Sequence, residues 1–330
     1  MEGLWEAGIQ FILWLQNLGD WLIVPMKFIT FLGQEEFFFF ILPLIYWCLD
    51  AGLGLQVGYI LIISNGLNFI FKLLFHDPRP FWISPLVQPL AGDTTFGIPS
   101  GHAQNAVSIW GLITVKLGRR PFYLLGFGAA FLIGLSRLVL GMHFPHDVLV
   151  GWLIGGALLW GFIRLWKSVT RWLLTKSILI QLSIAFVSSL ILAGIGYGIQ
   201  GSVVGQGLPQ AWIANALKAG GESPDPYSME GVITSAGTLF GFAFGAALVH
   251  RMGGYHTEGP VWKRFLRYII GIIGILILWR GLGFVFPRGE DFTAYLFRYL
   301  RYSLVGLWIV FGAPLLYFHF SLASRPRPEK

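Results

Sequence analysis

Apolar residues along this chain are gathered into long runs instead of alternating with polar residues. A bilayer core of about 30 Å is crossed by roughly 20 apolar residues in a helix, or somewhat fewer where the membrane thins. Ten runs approach this length, and the first two are short enough to be tilted or re-entrant segments instead. They lie near residues 21–33, 37–49, 53–74, 102–118, 121–140, 147–166, 177–199, 229–249, 268–286 and 302–319. The pattern predicts an all-α, polytopic integral membrane protein.

Two stretches outside these runs predict how the chain is organised. Residues 4–18 place apolar side chains at helical spacing, which predicts an amphipathic helix at the membrane interface. Residues 200–228 are rich in glycine and proline, as expected of a loop, and form a natural boundary. We therefore expect a six-helix bundle in residues 1–176 and an appended four-helix bundle of no assignable chemical role in residues 177–330.

Composition agrees with burial in lipid. Charged residues make up 12% of the chain, against about 25% in soluble domains. The formal net charge of +7 does not indicate nucleic-acid binding, because the basic residues form no patch interleaved with aromatic ones. Cys48 is the one cysteine, so a disulfide within the chain is excluded. The N-terminus carries acidic residues before its first apolar stretch and is a poor secretory signal peptide.

Basic residues are concentrated in alternate loops. They are Lys116, Arg119, Arg120, Arg164, Lys167, Arg171, Lys176, Arg251, Lys263, Arg264, Arg267, Arg325, Arg327 and Lys330. Because cytoplasmic loops carry an excess of lysine and arginine, both termini are predicted to be cytoplasmic. The intervening loops, around residues 34–36, 75–100, 200–228 and 287–298, are then extracytoplasmic. The acidic N-terminal segment, which has no basic residue before Lys27, is the feature that disagrees.

Three polar islands interrupt the apolar pattern, and all three lie on the predicted outer side. They are Lys72–Pro80, Pro99–His102 and Ser136–Asp147. Placing ionisable side chains in membrane segments costs free energy, so residues of this kind that are nevertheless present indicate a functional site. We expect the three islands to converge.

The residue types in these islands predict an anion cradle. Lys72, Arg79 and Arg137 supply three positive charges, and the arginines offer planar forks suited to phosphate oxygens. Ser100 and Gly101 stand where a helix begins, where free backbone N–H groups and the helix dipole favour an anion. Together they predict a site for a dianionic tetrahedral group, stabilised electrostatically as in phosphoryl transfer.

Two histidines and a carboxylate complete the predicted site. Asp147 follows His143 by four residues, so its carboxylate can accept the imidazole N–H and leave the other ring nitrogen as a nucleophile. His102 comes from a different helix and is a candidate general acid. No cluster of acidic residues, histidine or cysteine has metal-site spacing. We therefore expect neither a metal nor a cofactor, with the cations taking the role that magnesium has in other phosphatases.

The spacing of these residues resembles the three-part signature of the type 2 phosphatidic acid phosphatase superfamily. The blocks are Lys72-x6-Arg79-Pro80, Pro99-Ser100-Gly101-His102 and Ser136-Arg137-x5-His143-x3-Asp147. No signature position is missing or substituted. The superfamily includes lipid phosphate phosphatases, bacterial acid phosphatases, glucose-6-phosphatase and vanadium haloperoxidases, and the six-helix bundle is similar to its membrane branch.

The resemblance implies a role for each residue. His143 attacks phosphorus to form a phosphohistidine, Asp147 supports it, and His102 protonates the leaving group and then helps to activate water. The phosphate oxygens are held by Lys72, Arg79, Ser100, the Gly101 amide and Arg137. In membrane members the site faces away from the cytoplasm, which matches the side given by the loop charges.

The function expected from this resemblance is hydrolysis of a lipid phosphomonoester or pyrophosphate at the outer face of a bacterial inner membrane. Phosphatidic acid, phosphatidylglycerol phosphate, sphingoid-base phosphate and polyprenyl pyrophosphate share the phosphate that the cradle recognises, so the signature does not rank them. Two alternatives remain open: a phosphotransferase using the same phosphohistidine, and a non-catalytic lipid transporter or scramblase. The haloperoxidase function is disfavoured because those relatives are soluble and bind vanadate.

Each residue taken alone also has a structural explanation. Lys72 ends an apolar helix and could extend to the interface, and Asp147 could interact with a helix dipole. The three blocks favour catalysis only because they occur together. Other polar residues are assigned structural positions. His76, Asp77 and His146 are predicted loop residues, and Arg298 and Arg301 interfacial anchors. Arg280 has two alternatives, a structural pair with a carboxylate such as Glu230, which is favoured, and contact with the lipid phosphate.

Overall fold

The computed structural model describes residues 2–324, and no β-strand occurs among them. Its α-helices are α1 (Glu2–Gln16), α2 (Ile23–Phe31), α3 (Glu35–Leu44), α4 (Ala51–Phe75), α5 (Pro80–Ile83), α6 (Gly101–Asn105), α7 (Gly111–Leu117), α8 (Arg120–Val139), α9 (Pro145–Leu174), α10 (Ile178–Val203), α11 (Gln210–Lys218), α12 (Glu230–Arg251), α13 (Val261–Leu276), α14 (Leu282–Val285), α15 (Phe292–Leu307) and α16 (Ala313–His319). Short π-helical turns occur at Ile45–Leu49, Ala106–Trp110, Ile277–Gly281 and Trp308–Gly312. The predicted all-α class is confirmed. The basic tail residues Arg325, Arg327 and Lys330 lie outside the described residues.

Seven helical stretches of the described chain are long and apolar enough to cross a membrane. They are Ala51–Ile83, Arg120–Val139, Pro145–Leu174, Ile178–Gln206, Glu230–Arg251, Val261–Val285 and Phe292–His319. An eighth results if Asp20–Phe31 and Glu35–Leu49, which are bent by 46°, form one broken span. The protein is a polytopic integral membrane protein.

Three of the ten predicted spans take a different form in the structure. The two short runs at 21–33 and 37–49 are the arms of the bent pair, because a turn at residues 32–34 separates them. The run predicted at 102–118 is the helical stretch Gly101–Leu117, which is not among the seven long spans. It is short because Gly118 adopts a left-handed conformation (φ 63°) that ends the helix.

The residue contacts divide the chain into two compact units, each made of three stretches. The first comprises Met1–Phe37, Leu67–Gly161 and Gly196–Ser228, and the second comprises Phe38–Gly66, Phe162–Ile195 and Met229–Lys330. The units therefore interleave along the sequence, whereas the predicted division after residue 176 is linear. The reason is that α3, α4, α9 and α10 each contribute residues to both units.

The amphipathic helix α1 belongs to the first unit. The predicted apolar face packs there: Ile12 has no exposed surface, and Trp5, Ile9 and Leu13 are partly buried. The Gln16 side-chain amide donates to the carbonyls of Gln88 (2.8 Å) and Val139 (3.3 Å). A Cβ at Gly8 would lie 2.6 Å from the ring of Phe144, so this helix packs directly against the residue that follows His143.

Within the second unit, α12 and α15 pack at a distance that only glycine permits. A Cβ at Gly241 would overlap the carbonyl oxygen of Ser303, and one at Gly237 would overlap that of Tyr299. Small residues four apart allow membrane helices to approach closely, so that van der Waals contacts hold them together. These glycines therefore determine how the extension is packed.

Arg267 also stabilises the second unit, although the sequence analysis counts it among the cytoplasmic loop cations. Its side chain is 1% exposed. The guanidinium donates to the carbonyls of Thr257 (2.8 Å), Glu258 (2.6 Å) and Leu322 (3.0 Å from Nε). It joins two loops in this way, and it does not contribute a loop charge.

We expect Gly241→Ala to destabilise the protein by about 2 kcal/mol, because the added methyl group forces α12 and α15 apart. Thermal unfolding of the detergent-solubilised protein measures this. Gly198→Ala is the matched control, since a Cβ at Gly198 in α10 would have no neighbour within 4 Å. Equal melting temperatures for the two variants would contradict the packing described here.

Candidate active site

All of the predicted site residues lie in the first compact unit. Lys72 is in the last turn of α4, and Arg79 precedes α5. Arg137 is in the last turn of α8, and Asp147 is in the first turn of α9. Ser100, Gly101 and His102 form the start of α6, and His143 lies in the turn between α8 and α9. The three polar islands converge, as the sequence analysis predicts.

The start of α6 is fixed by contacts on two sides. Ser100 is the N-cap, and its side chain accepts a hydrogen bond from the Ala103 amide (3.4 Å). The Asn68 side-chain amide donates to the Pro99 carbonyl (3.2 Å). On the other side α9 approaches the backbone, since a Cβ at Gly151 would lie 2.6 Å from the Ser100 carbonyl oxygen. These contacts hold Ser100 and Gly101 against α4 and α9.

His143 and Asp147 form a buried pair. Nδ1 of His143 lies 3.2 Å from Oδ2 of Asp147, which also accepts the Phe144 amide (2.9 Å). The backbone carbonyl of Asp147 accepts the amide of Ser100 (3.0 Å) and so joins the second island to the third. With Nδ1 protonated and donating to Asp147, the lone pair of His143 is on Nε2.

The free nitrogen of His143 lies beside the cations. Nε2 is 3.5 Å from Nη1 of Arg79. Burial, reinforced by Arg79 and Arg137, lowers the pKa of His143 well below its usual value. The imidazole is therefore neutral at pH 7, which is the form that a nucleophile requires.

Arg79 is fully buried and hydrogen-bonded on every side. Its guanidinium donates to the carbonyls of Thr95 (2.5 Å), Met142 (2.9 Å) and Phe96 (3.2 Å). It also pairs with Asp93, at 2.6 Å between Nη2 and Oδ2. Arg79 thereby holds the loop before α6 and the turn that carries His143 in one arrangement.

Asp93 and Thr95 are site residues that the sequence analysis does not assign. The Lys72 ammonium donates to Oγ1 of Thr95 (2.5 Å) and lies 3.9 Å from Asp93. Burial on its own would raise the pKa of Asp93, but Arg79, Lys72 and hydrogen bonds from Thr95 outweigh it and hold that pKa well below its usual range. A carboxylate thus neutralises part of the predicted cradle. The one feature of the sequence that indicates this counter-ion is an acidic residue in a stretch of apolar and small residues before Pro99.

Two further site residues carry buried nitrogens without a partner. Arg137 is 1% exposed and donates from Nη1 to Thr30 (3.0 Å). Neither its Nε nor Nε2 of His102 has a hydrogen-bond partner among residues 2–324. His102 is close enough to interact electrostatically with His143. Buried polar atoms normally find partners, and an anionic group placed beside these two nitrogens would provide them.

Asp77, His146 and Asp147 form a cluster that the sequence spacing does not reveal. Nε2 of His146 lies 3.1 Å from Asp77 and 3.4 Å from Oδ1 of Asp147. One possible ligand atom from each of the three residues lies within 4.8 Å of the other two, which is close enough for all three to bind one metal ion. The His146–Asp77 pair explains the cluster without a metal. The expectation that no metal takes part stays a prediction.

The loop predicted at residues 200–228 contains helix α11 and packs onto the segment that carries Arg79. The Asn215 side-chain amide donates to the carbonyls of Trp82 (3.1 Å) and Ile83 (3.0 Å). The ring of Tyr227 contacts that of Phe96, with centroids 5.5 Å apart. This segment is therefore part of the first unit and supports the site, which its polar composition alone does not indicate.

Two family descriptions match the sequence. Residues 53–171 match the PAP2 superfamily, and residues 233–325 match the PAP2 superfamily phosphatase transmembrane extension. The first match contains all the predicted site residues.

Similar proteins of known activity cover most of the chain. Glucose-6-phosphatase 3 of Bos taurus is 27% identical over 360 aligned positions, covering 99% of each chain. The glucose-6-phosphatase catalytic subunit 1 of Canis lupus familiaris is 27% identical and covers 84% of each chain. The crystal structure of a transmembrane PAP2 type phosphatidylglycerolphosphate phosphatase from Bacillus subtilis is 25% identical, with a TM-score of 0.44, over 51% of this chain and 89% of that one.

We expect Asp93→Asn to lower stability at pH 7 by roughly 2 to 4 kcal/mol, because two buried cations lose their counter-charge. The pKa of Asp93 is lower in the folded chain than in the unfolded chain. Its stabilising effect is therefore present at neutral pH and is lost as pH falls below about 4. The wild type should lose melting temperature in that range, and the variant should lose less.

Asp20→Asn is the control, since Asp20 is exposed. Inorganic phosphate should raise the melting temperature of Asp93→Asn more than that of the wild type, because it restores the missing negative charge. A pH profile unchanged by Asp93→Asn would show that Asp93 does not act as the counter-ion.

Proposed function

We propose that this chain, whose residues 53–171 match the PAP2 superfamily, is a membrane phosphatase that hydrolyses a phosphomonoester through a phosphohistidine at His143. The observation that carries this proposal is the pair of contacts made by that imidazole. Asp147 lies at Nδ1 (3.2 Å), and Arg79 lies at Nε2 (3.5 Å). The nucleophilic nitrogen is thereby oriented toward the groups that attract phosphate.

In the first step the Nε2 lone pair of His143 forms a bond to phosphorus, and the bond from phosphorus to the ester oxygen breaks. His102 gives its proton to the leaving oxygen, which departs as an alcohol. The dianionic phosphate favours the imidazolium form of His102 that this transfer needs. Charge on the transferring group is stabilised by Lys72, Arg79 and Arg137, and by the N–H groups at the start of α6.

In the second step water replaces the alcohol. Neutral His102 takes a proton from the water, the water oxygen attacks phosphorus, and the bond from phosphorus to Nε2 breaks. Inorganic phosphate leaves and both histidines return to their starting forms. Asp147 holds the same tautomer of His143 throughout.

We infer that a sugar phosphate is the first substrate to test and a lipid phosphate the second. The similarity to glucose-6-phosphatase 3 extends over 99% of this chain and so includes the second unit. The lipid phosphates expected from the sequence share the same phosphate and meet the protein within its membrane. The loop charges favour a site that opens on the extracytoplasmic side, with cytoplasmic termini, and a bacterial inner membrane remains the proposed location.

We expect purified protein to release phosphate from one member of a panel, and His143→Ala to lower that rate by about four orders of magnitude. The panel is glucose 6-phosphate, phosphatidic acid, phosphatidylglycerol phosphate, sphingoid-base phosphate and polyprenyl pyrophosphate, each with and without EDTA. His256→Ala is the control, because His256 is an exposed loop residue of the second unit.

Each alternative has its own outcome in this experiment. Activity abolished by EDTA would contradict a metal-free reaction and would direct attention to Asp77, His146 and Asp147. Phosphate that appears on an added alcohol or lipid instead of in solution would identify a phosphotransferase. Lipid flipping without phosphate release, undiminished in His143→Ala, would support a transporter.

Substrates with different leaving groups distinguish the role of His102 from that of His143. We expect His102→Ala to slow alkyl phosphates by about 10²-fold to 10⁴-fold, because their alkoxide needs a proton. Nitrophenyl phosphate has a good leaving group, so its first step should be nearly unaffected while hydrolysis of the phosphoenzyme slows. A burst of nitrophenol with acid-labile phosphate on the protein is the expected signature. Equal losses for both substrates would mean that His102 does not act as the acid.

A further inference from the structure

Four arginines line one hollow in the second unit. The hollow has a volume of about 450 Å³, and its basic residues are Arg280, Arg288, Arg298 and Arg301. Glu230 is the only acidic residue among the described residues that line it. Four guanidinium groups against one carboxylate leave a formal excess of three positive charges.

Glu230, the one carboxylate among the described residues that line the hollow, already has a partner. Glu230 forms an ion pair with Arg298, which also donates to Oγ1 of Thr234 (3.2 Å). Across residues 2–324 the structure records no ion pair for the other three arginines. Arg280 stacks on the ring of Trp279 (4.8 Å), and Arg288 donates to the Gly283 carbonyl (3.3 Å). These contacts position the guanidinium groups but do not neutralise them.

Arg301 provides a second, independent observation. Its guanidinium stacks on the ring of Tyr302 at 5.0 Å, and the Nε atom is buried. Within the described part of the chain, no acceptor lies within hydrogen-bond distance of this Nε. A buried donor without an acceptor is costly, so the hollow favours a ligand that brings oxygen atoms with negative charge.

The hollow lies at the ends of membrane spans, and one side of it is apolar. Glu230 begins the span Glu230–Arg251, and Arg280 lies near the end of the span Val261–Val285. Phe284, which lines the hollow, is 77% exposed, and the neighbouring Val285 is 79% exposed. A ligand here meets positive charge on one side and the hydrocarbon of the bilayer on the other. A free anion would use only the first of these features.

We propose that this arginine hollow binds the phosphodiester headgroup of an anionic phospholipid, with its acyl chains against Phe284 and Val285. Isolated interfacial anchors, the role that the sequence analysis gives to Arg298 and Arg301, would each contact a different lipid. Here four arginines line a volume that holds one headgroup. Guanidinium groups bind phosphate oxygens through two parallel hydrogen bonds. All the lining residues belong to the second unit, to which the sequence analysis assigns no role.

The test measures lipid retention by the full-length protein. Delipidated protein in detergent is mixed with phosphatidylglycerol and phosphatidylcholine of identical acyl chains, and bound lipid is counted by native mass spectrometry. Phosphatidylglycerol is an anionic phosphodiester, so it is not a substrate for phosphomonoester hydrolysis. The test variant is Arg280→Gln/Arg288→Gln, since both side chains are exposed and their loss opens no core. Arg251→Gln is the control, at the opposite end of α12 from Glu230.

The wild type and Arg251→Gln should retain phosphatidylglycerol in preference to phosphatidylcholine. The double variant should bind phosphatidylglycerol roughly tenfold to thirtyfold more weakly, the scale expected when two arginines near an anionic headgroup are lost. If the double variant does not fold, Arg288→Gln alone should weaken binding about fivefold.

Three outcomes would overturn the proposal. One is equal affinity of the double variant and the wild type for phosphatidylglycerol. Another is equal retention of the two lipids by the wild type, which would show that the arginines do not select charge. The third is full displacement of phosphatidylglycerol by an equal concentration of inorganic phosphate, which would show that the hollow recognises a soluble anion and that the acyl chains contribute nothing.

Discussion

The fully buried guanidinium of Arg79 is the charge on which the rest of the first unit depends. A charge removed from water in a membrane protein must be surrounded by partners, or the desolvation cost is not recovered. Arg79 obtains them from the loop before α6, through Thr95 and Asp93, and from the turn after α8, through Met142. Because the turn that ends at Met142 continues directly into His143, the same hydrogen bonds that stabilise the arginine also position the imidazole.

Buried charges elsewhere in the chain obey the same requirement in different ways. Arg267 is satisfied by backbone carbonyls and serves the fold of the second unit. Arg137, His102 and Arg301 each keep a buried nitrogen without a partner in the described structure. The contacts of Arg267 are complete without a ligand, whereas in the proposals above an anion completes those of Arg137, His102 and Arg301. The proposals thus distinguish structural from anion-binding groups by whether their buried nitrogens already have partners.

Asp93 places a negative charge among the cations of the candidate site. Its carboxylate pairs with Lys72 and Arg79, two of the cations proposed to bind phosphate. In the proposed reaction a phosphate that enters the cradle meets a site that is already partly neutralised, so binding involves an exchange of counter-charges as well as an attraction. Displacing Asp93 costs free energy when the substrate binds. That cost can be recovered in the transition state, because charge on the equatorial oxygens of the transferring group then interacts more strongly with the cations.

The sequence by itself determined the all-α membrane class, seven of the spans, and the set of residues from Lys72 to Asp147 that converge. The class and the spans follow from the length of apolar runs in a bilayer. The convergence is expected because three polar islands lie on one predicted side of the membrane and resemble a three-part family signature, and the spacing of His143 and Asp147 is local to one helix start. Only the tertiary structure decided the pairing of Asp93 with Arg79, the burial of Arg267, the packing of α11 near the site and the gathering of four arginines in one hollow. Each of these joins residues from different helices or loops. Side-chain contacts between segments depend on how helices pack, for instance through Gly241 against Ser303, and spacing along one segment carries no record of that packing.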